Sequence, residues 1–597
     1  VDWRRRGGFG KVDIALWAFR RSCESTTDPG GFVFLRRGLA SVSVGIAVMA
    51  AAPSAGFASE GHHQEPDGIN HIVVIYEENH SFDNLFGGWE GVNGVRSAAA
   101  SGHLTQLGAD GQPLACLPQN DVNLKAVPAT CTGTSNGVTL DSAFRNGPFL
   151  IDNSIKPDDK TCPAPGVFAA NGIRKDAPGA LPGGCTEDLV HRYYQEQYQI
   201  DGGRMDRYTL GSDALGLTMG RYDTRQLPIY QYLHSRGAPN YAIADNFFQG
   251  AFGGSFLNHQ WLVAANTPQW TGAAADGSPS DLHSVVGPDG VPRYYPLQTA
   301  TAGVKDGALT QAANPDGSCK VPAAGPTPKA GTTCGDYAVN TIQPAYQPFA
   351  PGTSDTRKLP PLTSANIGDR LNAKNVDWAW YSGGWDNANG NTAGSGWTNG
   401  GNGASCTSTR TAANATYPYC PDATFQYHHQ PLNYYADLAP GTQNRAKHLL
   451  DEVQFVDSAK KGTLKPVSFI KPLGEENEHP GYASEHTGSD HLVDLLKAIE
   501  GGPQARSTMV IVTYDEFGGQ WDHVSPPTGA GVSDKWGPGT RVPTLLLSPR
   551  LERDFSVDHT SHDTTSILAT IEHRFRLAPL GTRDAAVKDL FTAFREH

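Results

Sequence analysis

Three clusters in this chain carry the residue types of metal or phosphate chemistry. An apolar run, HIVVIYEEN at 71–79, stops abruptly on two acids and an amide, Glu77, Glu78 and Asn79. A second, STMVIVTYDEFGG at 507–519, stops on Asp515, Glu516 and a glycine pair. Carboxylate and amide oxygens that converge without a cysteine suit a hard or borderline divalent cation, whose identity the residue types leave open. Taken singly, either acidic pair would serve equally well to cap a following helix or turn. The third cluster centres on Ser255, which follows Gly253-Gly254 and opens FLNHQWLVAAN, a stretch with helical apolar spacing. A serine there meets the positive end of the helix dipole and free N–H groups, which hold a phosphate and favour an alkoxide. A plain N-cap is the alternative. The G-x-S-x-G pattern of α/β-hydrolases fails, because Leu257 stands where its second glycine would be. Histidines complete the set: His191 in DLVHRYYQEQYQIDGGRMD, the adjacent His428 and His429, and His479 in ENEHPGYASEH. Imidazolium groups would bind phosphate and protonate a leaving oxygen, and most active at mildly acid pH.

These groups need a scaffold. Apolar runs at 71–79, 241–248, 507–519 and 541–550 read as strands, and periodicity with caps such as Ser489 or Asp563 places helices at 186–200, 226–236, 443–459, 486–500 and 563–576. Alternating strands and helices with near-continuous apolar runs predict an α/β fold, a mostly parallel central sheet with helices on both faces. Functional groups in such sheets gather at the carboxyl ends of strands, where both acidic pairs lie. Residues 265–425 are rich in Gly, Asn and Thr, yet the interleaved Trp, Tyr and Cys favour long ordered insertions over disorder. With no clean linker, one large domain is expected.

Composition excludes several classes. The chain has 47 basic against 60 acidic side chains, a formal charge of −13 that offers no footprint for nucleic acid or an anionic membrane. Heptads and 20–50-residue repeats are missing. Residues 1–58 read as an upstream extension and a secretory signal peptide: Arg36-Arg37, then an uncharged stretch at 38–58 closing on Gly56-Phe57-Ala58. Cleavage would leave no stable membrane insertion and a periplasmic or secreted product. Beyond it, eight cysteines fall into four local couples, Cys116 with Cys131, Cys162 with Cys185, Cys319 with Cys334 and Cys406 with Cys420. Nearest-neighbour disulfides would staple four loops in an oxidising compartment.

HIVVIYEENHSFDNLFG resembles the opening motif of the bacterial phosphoesterase family that joins acid phosphatases to phosphatidylcholine-type phospholipases C, within the alkaline phosphatase-like superfamily. Further blocks follow in the family's order: DLVH with DGGRMDRY, DNFFQGAFGGSFLNHQ, ENEHPGYASEHTGSDH, VTYDEFGGQWDHVSPP, GPGTRVPTLLLSP and DHTSHDTTSILATIEHRF. The likeness runs from residue 68 to 577, broken near 95–180 and 270–420, and implies an alkaline phosphatase-like fold in a single phosphoesterase domain over 59–597 with insertions at those breaks. It implies that Glu78, Asn79, Asp515 and Glu516 bind a divalent metal cation and that Ser255 is the nucleophile and also faces the metal. It further implies that His191, His428, His429 and His479 line a phosphate pocket. In the mechanism expected here His191 or His479 protonates the leaving oxygen, and His523, where the family also has a histidine, has a structural or supporting role. Serine at the nucleophile position, where many phospholipases C of the family have threonine, and a chain that stops soon after the last helix point to the acid phosphatase branch. The expected activity is a secreted acid phosphatase working on phosphate monoesters through a metal-assisted phosphoserine. The alternative is a phospholipase C that cleaves phosphatidylcholine to diacylglycerol and phosphocholine, with Trp380, Tyr381, Trp385 or Trp397 caging the quaternary ammonium. A silent scaffold gripping glycans through the loops at 384–412 is disfavoured by the complete residue set.

Overall fold

A computed structural model describes residues 68–594, apart from 109, 118–130, 136–137, 143, 154–160, 163–180, 183–187, 213–214, 271–307, 310–336, 402 and 404. The signal segment at 1–58 therefore lies outside the described residues. Eight strands form the central sheet: β1 His71–Glu77, β2 Tyr241–Ala244, β3 Trp378–Ser382, β4 Leu449–Asp451, β5 Val467–Lys471, β6 Thr508–Tyr514, β7 Thr544–Leu547 and β8 Phe555–Asp558. Their spatial order is β4-β3-β5-β1-β6-β7-β2-β8. β1 is central and runs parallel to both neighbours, with Ile72 opposite Val467 on one side and Met509 on the other. Every residue of β3, β5, β6 and β7 is buried, so these strands show no polar face, as expected when helices cover both sides.

The helices fall into two packed groups. Glu485–Glu500 packs on Pro228–Leu233 and on Glu452–Lys461, while Ser255–Ala264 packs on Thr564–Phe575 and on Ile367–Ala373. Asp563 caps Thr564–Phe575 through the N–H of Thr565 in a full capping box, as its spacing foretells.

Several expectations need correction. The helix expected over 443–459 is two helices, Gln443–His448 and Glu452–Lys461, separated by β4. Leu449 and Leu450 pair beside Trp380 and Tyr381, and extended Asp451 accepts the Val453 N–H, which starts a new helix instead of continuing the old one. The cap of Glu485–Glu500 is Ser484; Ser489 lies inside that helix and accepts the N–H of Ile229. The 186–200 and 226–236 helices shrink to Tyr193–Ile200 and Pro228–Leu233. The 241–248 run divides into β2 and a separate pair, Phe247–Phe248, which joins His562–Asp563. The run at 541–550 contains β7, antiparallel to both neighbours. No crossover helix links β6 to β7, so the chain re-enters the sheet in reverse. The expected insertion near 270–420 is not all loop, since β3 lies within it and builds the sheet. Of the disulfides, Cys116–Cys131 and Cys406–Cys420 are present, with Cα separations of 6.0 and 5.6 Å. The other two couples rest on side chains outside the described ones. No described helix is long and apolar enough to cross a membrane.

Two loops at the carboxyl end of the sheet are tied together by a buried charge network. Arg541 donates to Asp522 at 3.1 Å and to Asp83 at 3.3 Å, and His523 Nδ1 lies 2.5 Å from the second Asp83 oxygen. Arg541 also donates to the carbonyls of Asn93 and Asp245. Arg541→Ala would strand two buried carboxylates, and we expect a loss of about 3–5 kcal/mol in denaturant unfolding; a loss below about 1 kcal/mol would deny the network its role.

Candidate active site

The neighbouring parallel strands β1 and β6 deliver their acids side by side. The N–H of Asp515 donates to Glu77 O at 3.1 Å, and the N–H of Asn79 returns to Asp515 Oδ1 at 3.1 Å. Asn79 has φ 60°, a left-handed turn that swings its side chain off the strand path. Gly518 makes room for it: a Cβ there would lie 2.1 Å from Asn79 O, and Gly518 itself has φ +61°.

Ser255 arrives from a third element. Gly254, extended, is the N-cap of Ser255–Ala264 and no side chain caps that end, so Ser255 is the first helical residue and the plain N-cap alternative falls. Gly253 has φ +94°, and a Cβ on it would sit 2.6 Å from Tyr193 N; one on Gly254 would sit 2.9 Å from His191 Cδ2. Buried Glu196 holds this turn, accepting the N–H groups of Gly253 at 2.5 Å and Thr540 at 2.7 Å, and burial pushes its carboxyl up to about 8. Ser255 Oγ, 2% exposed, lies 3.1 Å from Glu78 Oε2, 3.4 Å from Asn79 Oδ1 and 3.5 Å from Glu516 Oε1.

Each histidine singled out in the sequence reaches this cluster. His429 Nε2 is 3.1 Å from Glu78 Oε1, and His428 meets the His429 ring edge-on at 4.5 Å. His191 Nε2 is 3.4 Å from Glu516 Oε1 while its Nδ1 lies 2.5 Å from Leu189 O. His479 has a different geometry from the one expected of a leaving-group acid. Its Nδ1 lies 2.6 Å from Pro480 O and its Nε2 3.1 Å from Asn79 Nδ2. With Nδ1–H donating to that carbonyl, Nε2 accepts from the Asn79 amide, which turns Asn79 Oδ1 toward Ser255.

Two members escaped the sequence reading. His259 lies one turn beyond Ser255 in the same helix, with Nδ1 2.8 Å from Ser255 O and 3.7 Å from Asp515 Oδ2, and its ring stacks on His429 at 5.0 Å. The i, i+4 spacing from Ser255 in SFLNH was the available signal. Lys471 ends β5, a strand that sequence patterning passed over; its ammonium pairs with Glu78 and donates to Tyr76 O at 2.7 Å.

Burial dominates the electrostatics. Glu78, Asp515 and Glu516 are all pushed up by desolvation, and Asp515 adds its repulsion to the first and the last. The imidazoles move the other way. Burial, then Lys471 and His191, brings His428 down to about 3, and burial likewise drives His429, His479 and His259 well below the usual range. Burial thus works against the imidazolium groups expected at mildly acid pH for His428, His429 and His479. An entering phosphoryl dianion would favour their protonation.

A divalent cation fits this set. Three fully buried carboxylates crowd together, Asp515 Oδ2 has no hydrogen bond, and Glu78, His259 and Asp515 offer ligand atoms within 4.8 Å of one another. Oxygen donors with one imidazole match a hard-to-borderline ion.

The molecule is thus an α/β protein with a serine, acids, an amide and histidines gathered at the carboxyl end of a mostly parallel sheet. The chain belongs to the phosphoesterase family, whose model matches residues 69–578. It is 23% identical over 564 residues to phospholipase C A of Mycobacterium tuberculosis, covering 88% of this chain and 77% of that one. It is 32% identical over 166 residues to phospholipase C B of the same organism, a match to 24% of this chain that spans only 32% of the relative's length. Non-hemolytic phospholipase C of Burkholderia pseudomallei is 33% identical over 190 residues, 27% of each chain. Among solved structures, an alkaline phosphatase superfamily protein from Vibrio parahaemolyticus aligns with 12% identity and a TM-score of 0.21, over 38% of this chain and 50% of that one.

Proposed function

We propose that this protein is a phosphoric ester hydrolase that uses Ser255 as a nucleophile and, in the first instance, hydrolyses phosphate monoesters. The observation that carries the reading is the position of Ser255 Oγ, buried at an uncapped helix start within 3.5 Å of Glu78, Asn79 and Glu516. Glu78, Asn79, Asp515 and Glu516, with Ser255 facing them, would hold the divalent cation, and His259 is a further candidate. When bound, such an ion supplies Lewis acidity toward phosphoryl oxygen and favours the alkoxide form of a nearby hydroxyl.

The chain's own groups do the rest. Ser255 Oγ attacks phosphorus, its bond to phosphorus forms as the bond to the leaving oxygen breaks, and the serine proton passes to the surrounding acids or solvent. First-turn N–H groups of Ser255–Ala264 and the histidines stabilise equatorial charge. In this proposal His191, which borders both Glu516 and the Gly254 turn, protonates the departing oxygen. His479 orients Asn79, and His428 and His429 bind the phosphoryl group. Water then attacks the phosphoserine and releases phosphate.

Phospholipase C activity is the second reading, favoured by the names of the relatives. The aromatic cage expected for it needs correction: Trp380, Tyr381 and Trp385 are packed inside the core. Trp397 alone is half-buried, edge-on to Tyr417 in a loop. Turnover of p-nitrophenyl phosphate beside p-nitrophenyl phosphocholine decides between the two. We expect the monoester to be the better substrate in kcat/KM; a preference for the phosphocholine ester by about tenfold or more would select the phospholipase. Export to the periplasm or medium belongs to this same proposal, resting on the segment at 1–58 and on the disulfides.

A further inference from the structure

Glu77, the residue before Glu78, faces a different set of charges. Its carboxylate is fully buried, and neither oxygen has a hydrogen bond. It feels Glu478, Lys471, His491 and Glu452, none of which contacts Ser255. Lys471 is engaged by Tyr76 O and Glu78, and Glu478 takes the Tyr514 hydroxyl. An unpaired, desolvated carboxylate at the end of a central strand is costly unless positive charge reaches it.

The neighbouring elements bring three more ligand groups. Glu452 is the first residue of the helix Glu452–Lys461, His491 lies in the helix packed against it, and Glu476 is in the loop that leaves β5. Ligand atoms of Glu452, Glu476 and His491 lie within 4.8 Å of one another. His491 Nε2 is 2.8 Å from Glu452 Oε1, while Glu452 Oε2 is buried without a hydrogen bond. Arg410, whose charge reaches Glu476, pairs with Glu475. Two carboxylates therefore face one imidazole. The His491 side chain, 21% exposed, leaves the group a rim open to solvent.

We propose that Glu452, Glu476 and His491 form a second divalent-cation site, separate from the cluster at Ser255. Two carboxylates with one imidazole favour a borderline ion such as Mn²⁺ or Zn²⁺ over Ca²⁺. Binding takes His491 as a neutral ligand and releases its proton to solvent. The ion would tie the two helices to the loop that leaves β5 and bring positive charge toward Glu77, a structural task distinct from catalysis.

The test uses the full chain, stripped with chelator and re-equilibrated with Mn²⁺ or Zn²⁺, with elemental analysis and calorimetric titration. Wild type should bind two ions per chain. Asp515→Asn, which weakens the Ser255 cluster alone, should keep one at the lowest Mn²⁺ concentration that loads wild type fully, and should melt higher when Mn²⁺ is added. Glu452→Gln with Glu476→Gln should also keep one, and all three substitutions together should bind none. A folded Asp515→Asn protein that binds neither ion overturns the proposal, as does a Glu452→Gln/Glu476→Gln protein that retains both ions. Should the double variant fail to fold, the Asp515→Asn stoichiometry decides alone. Because no arm reads turnover, failure here leaves the hydrolase reading standing.

Discussion

Ser255→Ala should lower kcat by about 10⁴-fold or more, on the scale seen when a covalent nucleophile is deleted. The substitution removes one hydroxyl from a site 2% exposed, and Oγ has no part in the cap, which Gly254 supplies. Unfolding should therefore shift by less than about 1 kcal/mol. Inorganic phosphate should still bind as a competitive ligand, because the helix start and the histidines are intact. The diagnostic pattern is a collapsed kcat with a product-binding constant within a few-fold of wild type. Loss of phosphate binding in parallel with kcat would instead indicate a disturbed site.

The second large effect is expected at Asp515→Asn. Asp515 Oδ1 accepts the N–H groups of both Asn79 and Glu516, and an amide oxygen in the same place can keep both bonds. What is lost is charge: Oδ2, without a hydrogen bond, becomes a neutral group. Removing one of three crowded carboxylates relieves mutual repulsion, so thermal stability without added metal should hold or rise. Activity should fall by about 10²–10³-fold, the scale of losing one well-placed electrostatic group. High Mn²⁺ should restore part of it if weakened ion affinity is the cause. An unchanged kcat/KM at all metal concentrations would remove Asp515 from the ligand set.

How much of this was legible in the sequence depends on how local each signal was. β1 and β6 are long β-branched runs with acids at their ends, and Thr564–Phe575 announces itself with an N-cap and apolar period, so sequence alone found them. β3, β5 and β8 escaped. Trp378–Ser382 lies among Gly- and Asn-rich stretches, and Val467–Lys471 is only five residues long, so each is a strand because β1 and its neighbours offer hydrogen bonds to it. That pairing is remote in sequence and leaves no periodic trace. Lys471 went unnoticed for the same reason. The candidate ligand residues were singled out through ordered motif blocks, but their contacts were not. Nothing in ENEHPG shows that the His479 ring takes the Asn79 amide, because that bond joins residues 400 positions apart. Burial, too, is a property of the folded molecule, and it works against the imidazolium form at residues expected to carry it.

The central claim is a covalent phosphoserine at Ser255, and trapping it is the most direct test. The protein is mixed with p-nitrophenyl phosphate, quenched in acid within one turnover, digested, and its peptides are mapped by mass spectrometry. A single phosphoryl group should appear on the peptide containing Gly253-Gly254-Ser255, in an amount matching the nitrophenol burst, and should be missing from Ser255→Ala. A phosphocholine adduct on the same serine, formed from the phosphocholine ester, would keep the nucleophile and change the substrate. A burst of nitrophenol with no modification at Ser255, or a phosphoryl group on any other residue, would contradict the account.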